Sequence, residues 1–202
     1  MSVKQPRQPT ESRQAEIVAT LVRLAAERSA SEISTTDIAK AMHLTQGALF
    51  KHFPTKEAIR LAVAEWIEAA LMARLQDARN RGPTPVAALG AMFLAHVDFV
   101  IEHPGVPRLV FGELQQPDAS PAKGRVCELM QRYRALVMEV LGEAAAAGLL
   151  RADADQPAAA ALFLGAIQGL VIQSMVAGTA RHLREQAQAV FALYVQGLET
   201  KP

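Results

Sequence analysis

The chain has 202 residues, of which half are apolar and a fifth are charged, and its formal net charge is +1. This composition is typical of a soluble globular protein, with enough length for one domain or two small ones. The single cysteine, Cys127, excludes an internal disulfide framework and a cysteine-based zinc site, and it fits a reducing cytoplasm. The polar N-terminus MSVKQPRQPT contains no apolar segment, so no secretion signal is expected.

Charge is unevenly distributed along the chain. Residues 1–60 contain nine Lys/Arg and six Asp/Glu, whereas residues 61–202 contain twelve and fourteen. A basic N-terminal third on an acidic remainder favours an anionic partner for the first part alone.

Helical periodicity and capping signals predict an all-α chain of about nine helices. Residues 1–9 are expected to form a flexible basic tail. The first helix is predicted to cover TESRQAEIVATLVRLAAERS, with Thr10 or Ser12 as its N-cap. The sequence STTD at residues 34–37 has the spacing of a capping box, which predicts the start of a short second helix.

The third and fourth helices are predicted from the residues that begin and end them. Thr45 caps a miniature helix that reaches Phe53, and Pro54 ends it. Thr55 then caps a long helix that extends to about Asn80. The inward stripe predicted for this long helix contains Ile59, Val63, Trp66, Ile67, Leu71 and Leu75.

The later helices are separated by the loop sequences RGPT, HPGVP and RADADQP. They are predicted to cover Pro85 to Glu102, the short segment RLVFGELQQ, residues 120 to about 148, residues 157–178 and residues 181–199.

The second and third helices form a helix-turn-helix pattern, because a turn of three or four residues joins them. Leu49 and Phe53 are predicted to point inward. The residues left outward are Gln46, Gly47, Ala48, Lys51 and His52. In the DNA major groove, glutamine can read adenine, lysine can read guanine, and alanine can contact the thymine methyl. The alternative is a solvated surface helix with no ligand.

The segment STTDIAKAMHLTQGALFKHFPTKEAI resembles the DNA-binding signature of the TetR/AcrR family, T-x-x-x-I-A-x-x-A-G-V-S-x-G-x-L-Y-x-H-F-x-S-K-E-x-L. The match covers about 26 residues without gaps. The resemblance implies a three-helix DNA-binding domain at residues 10–54. It also implies a larger ligand-binding and dimerisation domain at residues 55–202, whose connecting helix is residues 55–80. The expected protein is a cytoplasmic, homodimeric repressor that a small molecule releases from its double-stranded DNA operator.

The resemblance also implies which residues contact DNA. Phosphate contacts are expected from Thr45, Phe50, His52 and Lys56. Base contacts are expected from Gln46, Ala48 and Lys51. Backbone binding at the start of the preceding helix is expected from Ser34, Thr35 and Thr36, because helix N-termini attract anions.

Two positions differ from the family pattern. His43 replaces the turn glycine and is predicted to adopt a positive φ, where histidine is one of the few enriched non-glycine residues. Ser29 and Ala30 occupy the positions where the family has glycine and an aromatic residue.

Residues 156–180 contain no charged side chain and are long enough to cross a bilayer. Their alanine content, several polar side chains and the adjacent acidic loop favour a subunit interface instead, and no membrane partner is expected. Gly165 and Gly169 would allow close helix approach. The predicted dimer interface contains Leu162, Gly165, Gly169, Gln173, Phe191 and Tyr194.

Enzyme and cofactor motifs such as G-x-S-x-G, G-x-G-x-x-G and H-E-x-x-H are missing from the sequence, so no catalytic residue, metal or cofactor is expected. His96 and His103 could bind a metal, but one pocket histidine and one helix-end histidine is the favoured interpretation. The predicted effector-binding residues are Trp66, Phe93, His96, Phe99, Phe111, Met130, Tyr133 and Gln168. Two alternatives stay open: a helical enzyme or metal-binding bundle with a chance helix-turn-helix, and a regulator whose ligand is a co-repressor.

Overall fold

The computed structural model describes residues 10–199, so the predicted tail at residues 1–9 lies outside the described part. Within that range the chain forms nine α-helices and no strand, and an isolated antiparallel bridge joins Leu150 to Glu199. The all-α prediction is confirmed. The helices are α1 (Thr10–Ala25), α2 (Thr35–Ala41), α3 (Gln46–Phe50), α4 (Lys56–Arg81), α5 (Pro85–Glu102), α6 (Val106–Leu114), α7 (Pro121–Ala146), α8 (Gln156–Ala177) and α9 (Leu183–Gln196).

Most of the predicted helix starts carry the expected caps. The Ser34 side chain accepts from the Asp37 backbone N–H, and the Asp37 carboxylate accepts from the Ser34 N–H, which completes the predicted capping box. The hydroxyls of Thr45, Thr55 and Ser120 each accept a backbone N–H from the first turn of α3, α4 and α7.

Several predicted helix ends are wrong by a few residues. Helix α1 covers Thr10–Ala25, so neither Thr10 nor Ser12 precedes it as an N-cap, and it ends before the predicted Ser29. Helix α3 ends at Phe50 rather than Phe53, and Lys51 is its C-cap. Pro54 disfavours helical geometry at the residue before it, Phe53. Helix α9 covers Leu183–Gln196, which is shorter at both ends than predicted.

The first of two compact units contains the described residues up to Ile67 together with His103–Val126. It holds α1, α2, α3 and α6 with the starts of α4 and α7, so it extends beyond the predicted domain at 10–54. Its core consists mainly of aliphatic side chains, among them Ile17, Leu21, Ile33, Ile38, Leu49 and Ile59. Trp66, predicted to lie in the buried stripe of α4, is only half-buried, and its ring stands edge-on to the His103 ring.

The second unit contains Glu68–Glu102 and the described residues from Cys127 onward. Helices α5, α8 and α9 pack on one another around an aromatic cluster of Phe93, Tyr133, Phe163, Phe191 and Tyr194. Helices α5 and α8 are long and apolar enough to cross a membrane, but each packs one face into this core.

His43 ends α2 in the left-handed conformation, as predicted. Its φ is 55°, and it is the one non-glycine residue with a positive φ between residues 10 and 199. The His43 N–H donates to the Lys40 carbonyl at 3.1 Å and the Leu44 N–H to the Ala39 carbonyl at 2.8 Å. These two bonds form the Schellman arrangement that lets the chain leave α2 and enter α3.

The His43→Gly protein should be as stable as the unmodified protein or slightly more stable, because glycine adopts this φ without strain. The His43→Val protein should lose about 1–2 kcal/mol, since the left-handed conformation is costly for L-residues and worst for β-branched ones. Denaturant unfolding of the two variants checks this expectation, with His43→Asn as a control that tolerates positive φ. Equal stability of the glycine and valine variants would contradict it.

Candidate DNA-binding surface

The start of α2 presents three hydroxyl residues, of which Ser34 donates its hydroxyl hydrogen within the chain and Thr35 only accepts a hydrogen bond, from Gln46. The Ser34 hydroxyl donates to the Asp37 carboxylate at 2.6 Å in addition to its cap bond. The hydrogen bonds from Ser34, with a smaller effect of Arg28, lower the pKa of Asp37. Thr36 is exposed and Thr35 is half-buried, so their hydroxyls are the ones left for an external partner at this helix start.

Helix α3 is only five residues long and is held in place by its neighbours rather than by its own hydrogen bonds. Leu49 is fully buried and Phe53 nearly so, as predicted. The opposite face exposes Gln46, Gly47, Phe50 and Lys51, while Ala48 and His52 are half-buried. A short helix with one polar face, fixed by two buried side chains, is suited to enter a major groove.

Lys51 and Lys56 carry the positive charge of this surface. Lys51 follows α3 directly and Lys56 is the first residue of α4, and both are exposed. Both ammonium groups are therefore available for an anion such as phosphate.

The end of α3 is tied to α1 by a contact that sequence reasoning missed. The Gln14 amide donates to the backbone carbonyl of His52 at 2.9 Å. The His52 Nδ1 atom is buried, and the structure gives it no hydrogen-bond partner in the described part of the chain. No local pattern could have identified Gln14, because it is 38 positions away from the residue it holds.

A second missed contact joins the two helices of the motif. The Gln46 Nε2 atom donates to Thr35 Oγ1 at 2.8 Å. Each of these residues is the first residue of its helix, so the bond crosses directly from the start of α3 to the start of α2.

The eight predicted effector residues are divided between the two units. Phe93, His96, Phe99, Met130, Tyr133 and Gln168 lie in the second unit, whereas Trp66 and Phe111 lie in the first. His96 Nδ1 is 3.4 Å from the Tyr133 hydroxyl oxygen, and the Gln168 amide points to the Met130 sulfur. Burial lowers the pKa of His96 to about 4 and raises that of Tyr133, so both groups are neutral at pH 7. The described residues contain no group of three metal-ligating side chains, and His96 and His103 belong to different units.

The predicted dimer residues fall into an exposed set and an interior set. Leu162 is 59% exposed, and Gly165, Gly169 and Gln173 lie along the same side of α8. Tyr194 is only 5% exposed and donates its hydroxyl to the Ala159 carbonyl at 3.1 Å, so its ring belongs to the core. Phe191 is half-buried against Phe93. Sequence reasoning missed four large exposed apolar side chains, Ile172, Met175, Val176 and Leu193.

The fold and this surface define a helix-turn-helix DNA-binding protein. Residues 17–63 match the family described as bacterial regulatory proteins, tetR family. The described N-terminal residues therefore carry the DNA-binding domain of this family, and the family and fold neighbours of the chain are transcriptional regulators rather than enzymes. This match speaks against the alternative in which the helix-turn-helix resemblance arises by chance in a helical enzyme or metal-binding bundle.

The chain is also similar to curated relatives. The chain is 25% identical over 140 residues to the nucleoid occlusion factor SlmA of Haemophilus ducreyi, covering 69% of each chain. It is 25% identical to SlmA of Glaesserella parasuis across 95% of this chain and 97% of the relative. The alignment with SlmA of Actinobacillus pleuropneumoniae serotype 5b spans 63% of that protein.

Among solved structures, the regulatory protein TetR from Rhodobacter sphaeroides superposes with a TM-score of 0.76 at 18% identity, covering 91% of this chain and 97% of that one. The regulator FadR from Bacillus subtilis, in complex with stearoyl-CoA, superposes with a TM-score of 0.79 at 18% identity, covering 91% and 98%. These likenesses show that the fold extends over both units.

Proposed function

We propose that the chain is a homodimeric transcriptional repressor that a small molecule releases from its operator. The observation that carries DNA binding is the exposed face of α3, with Gln46 and Lys51 available to bases. Thr45, Phe50, His52 and Lys56 are proposed to contact phosphates around this helix. Thr35 and Thr36 are proposed to bind the DNA backbone at the start of α2.

The dimer is proposed to form through the α8 face defined by Leu162, Gly165, Gly169 and Gln173, extended by the four missed apolar side chains. These side chains are exposed in a single copy although α8 carries no charge. A contiguous apolar face of this kind marks an interaction site. A two-fold dimer pairs the same surface of each copy, so a second copy of the chain would cover these apolar side chains.

The effector is proposed to be an apolar small molecule with a polar group, bound in the second unit. Phe93, Phe99 and Met130 would supply apolar contacts, while His96, Tyr133 and Gln168 would supply uncharged polar atoms. The stearoyl-CoA held by FadR in the same fold supports a small-molecule effector. Trp66 and Phe111, which lie in the first unit, stay predictions from sequence only.

Base-reading and phosphate-contacting residues should respond differently to substitution. Gln46→Ala or Lys51→Ala should lose about 1–3 kcal/mol of DNA-binding free energy through a single operator position, and base specificity should relax at that position. Lys56→Ala should weaken all DNA sequences alike and reduce the salt slope by about one unit. Binding to an operator selected from genomic fragments, compared with random DNA at several salt concentrations, measures both quantities. Equal losses on both DNAs for all three variants would contradict the assigned roles.

Effector and operator should oppose each other reciprocally. An inducer acts through different affinities for two conformations, so it should weaken operator binding by the same factor by which operator weakens its own binding. Calorimetric titration of effector with and without operator DNA checks this equality. An effector whose affinity is the same with and without operator DNA would exclude the proposed release of the repressor by its ligand. An effector that tightens operator binding would establish the co-repressor alternative.

Nucleoid occlusion is a second candidate function. The similarity to SlmA of Glaesserella parasuis extends over 95% of this chain, far beyond the DNA-binding residues. Deletion of the coding sequence separates the candidates: a repressor alters transcription of the genes next to its operator, whereas a nucleoid occlusion factor alters where division occurs.

A further inference from the structure

We propose that Thr35 is a positioning residue that makes Gln46 read adenine in preference to guanine. The inference rests on the proposed function, because it assumes that Gln46 faces the bases of an operator. The observation that carries it is the bond of 2.8 Å from Gln46 Nε2 to Thr35 Oγ1.

A free glutamine amide has two N–H donors and one carbonyl acceptor. It can therefore meet adenine, which shows one donor and one acceptor in the major groove, by using one N–H and its carbonyl. It can also turn its two N–H groups toward guanine, which shows two acceptors, N7 and O6. An unrestrained glutamine therefore discriminates poorly between adenine and guanine.

The bond to Thr35 removes this ambiguity. One N–H of Gln46 is already used by the threonine hydroxyl, so one N–H and the carbonyl remain for a base. That remaining pair matches the N7 acceptor and N6 donor of adenine, whereas guanine would leave one of its acceptors without a donor.

The position of Thr35 allows the bond to persist on DNA. The Thr35 oxygen accepts from Gln46, which leaves its own O–H free to donate to a phosphate. Thr35 is not the N-cap of α2, since Ser34 has that role, so Thr35 can be changed without removing the cap. One threonine thus links a backbone contact to the orientation of a base-reading amide.

The experiment compares full-length Thr35→Val, Thr35→Ser and Gln46→Ala proteins with the unmodified protein. Valine keeps the threonine shape without the hydroxyl, and serine keeps the hydroxyl without the methyl. Affinity is measured for the selected operator and for derivatives with each base pair at the position where Gln46→Ala loses discrimination. Thr36→Val is the matched control, because Thr36 is the exposed neighbouring threonine and the Gln46 amide donates to Thr35 instead.

Thr35→Val should reduce the adenine-over-guanine affinity ratio at that position by about tenfold, and Thr35→Ser should keep it within about twofold, as expected for a bidentate contact. The double variant Thr35→Val with Gln46→Ala should have an adenine-over-guanine ratio no lower than that of Gln46→Ala alone. The two effects are not additive, because Thr35 influences the base only through the Gln46 amide. Thr36→Val should weaken adenine and guanine operators equally. In DNA-free protein, one side-chain amide proton of Gln46 should have an NMR chemical shift that differs from that of a solvated amide. The Thr35→Val change should return this chemical shift to the solvated value.

An unchanged adenine-over-guanine ratio in Thr35→Val would overturn the inference while leaving DNA-binding regulation intact. A Thr35→Ser protein as impaired as Thr35→Val would also overturn it, because the methyl group and not the hydroxyl would then be responsible. If the unmodified protein binds no sequence more tightly than random DNA, the proposed function itself fails.

Discussion

Gly165→Arg and Gly169→Arg proteins are expected to be monomers or aggregates that no longer bind operator DNA. A Cβ atom at either glycine meets nothing within 4 Å in one copy, so a single chain can accommodate the side chain. In the proposed dimer the arginine would be buried without a partner, which is strongly unfavourable. A monomer would then lose the second reading helix, which must lie roughly 34–36 Å from the first. Light scattering coupled to chromatography and DNA titration measure the two effects.

Gly124→Arg is the matched control for this experiment. Gly124 is an exposed helical glycine on α7, and like the two α8 glycines it has nothing within 4 Å of an added Cβ. Replacing any of these glycines should favour the helix by up to about 1 kcal/mol, so unfolding cannot explain a loss of dimer. A dimer that persists with arginine at both positions of α8 would exclude the proposed interface.

Gly105→Ala is expected to destabilise the first unit by about 1–3 kcal/mol or more, the range found for overpacked sites. The added Cβ would lie 2.0 Å from the Val22 carbonyl oxygen and 2.9 Å from the Ala26 nitrogen. Both are backbone atoms of the segment at the end of α1, so no side chain can rotate to relieve the overlap. The φ of Gly105 is −77°, which any residue adopts, so the expected effect comes from packing alone. Thermal and denaturant unfolding measure it.

Gly112→Ala, inside α6 rather than at its N-cap, should change the stability in the opposite direction. Its Cβ would be 3.5 Å from the Ala30 Cβ, which is an ordinary contact, and alanine is the better helix former by about 1 kcal/mol. Similar unfolding free energies for the two variants would mean that the close approach of α6 to α1 does not constrain the fold.

Features fixed by a few neighbouring residues were predictable from the sequence. The capping box of Ser34 and Asp37, the Thr45 cap and the positive φ of His43 each depend on atoms within one or two turns. The inward position of Leu49 followed from helical spacing together with the helix-turn-helix pattern.

Features that depend on distant residues were not predictable. The bond from Gln46 to Thr35 requires the angle between two helices, and the approach of Gly105 to Val22 requires the packing of α6 on α1. Tyr194 illustrates the same limit for burial: its apolar character suited an interface or a core equally, and only the fold around Phe163 placed it inside.

In the proposed dimer, the exposed apolar face of α8 and α9 would link the stability of the protein to its abundance. Val176 is 85% exposed and Leu193 69% exposed in a single copy. Pairing of two copies would bury apolar surface that remains exposed to water when one copy folds alone. By mass action, a folded state that is completed by a second copy becomes more stable as concentration rises. A regulator made in few copies per cell therefore needs a tight dimer to stay folded. Newly synthesised chains would be most exposed to proteolysis before they meet.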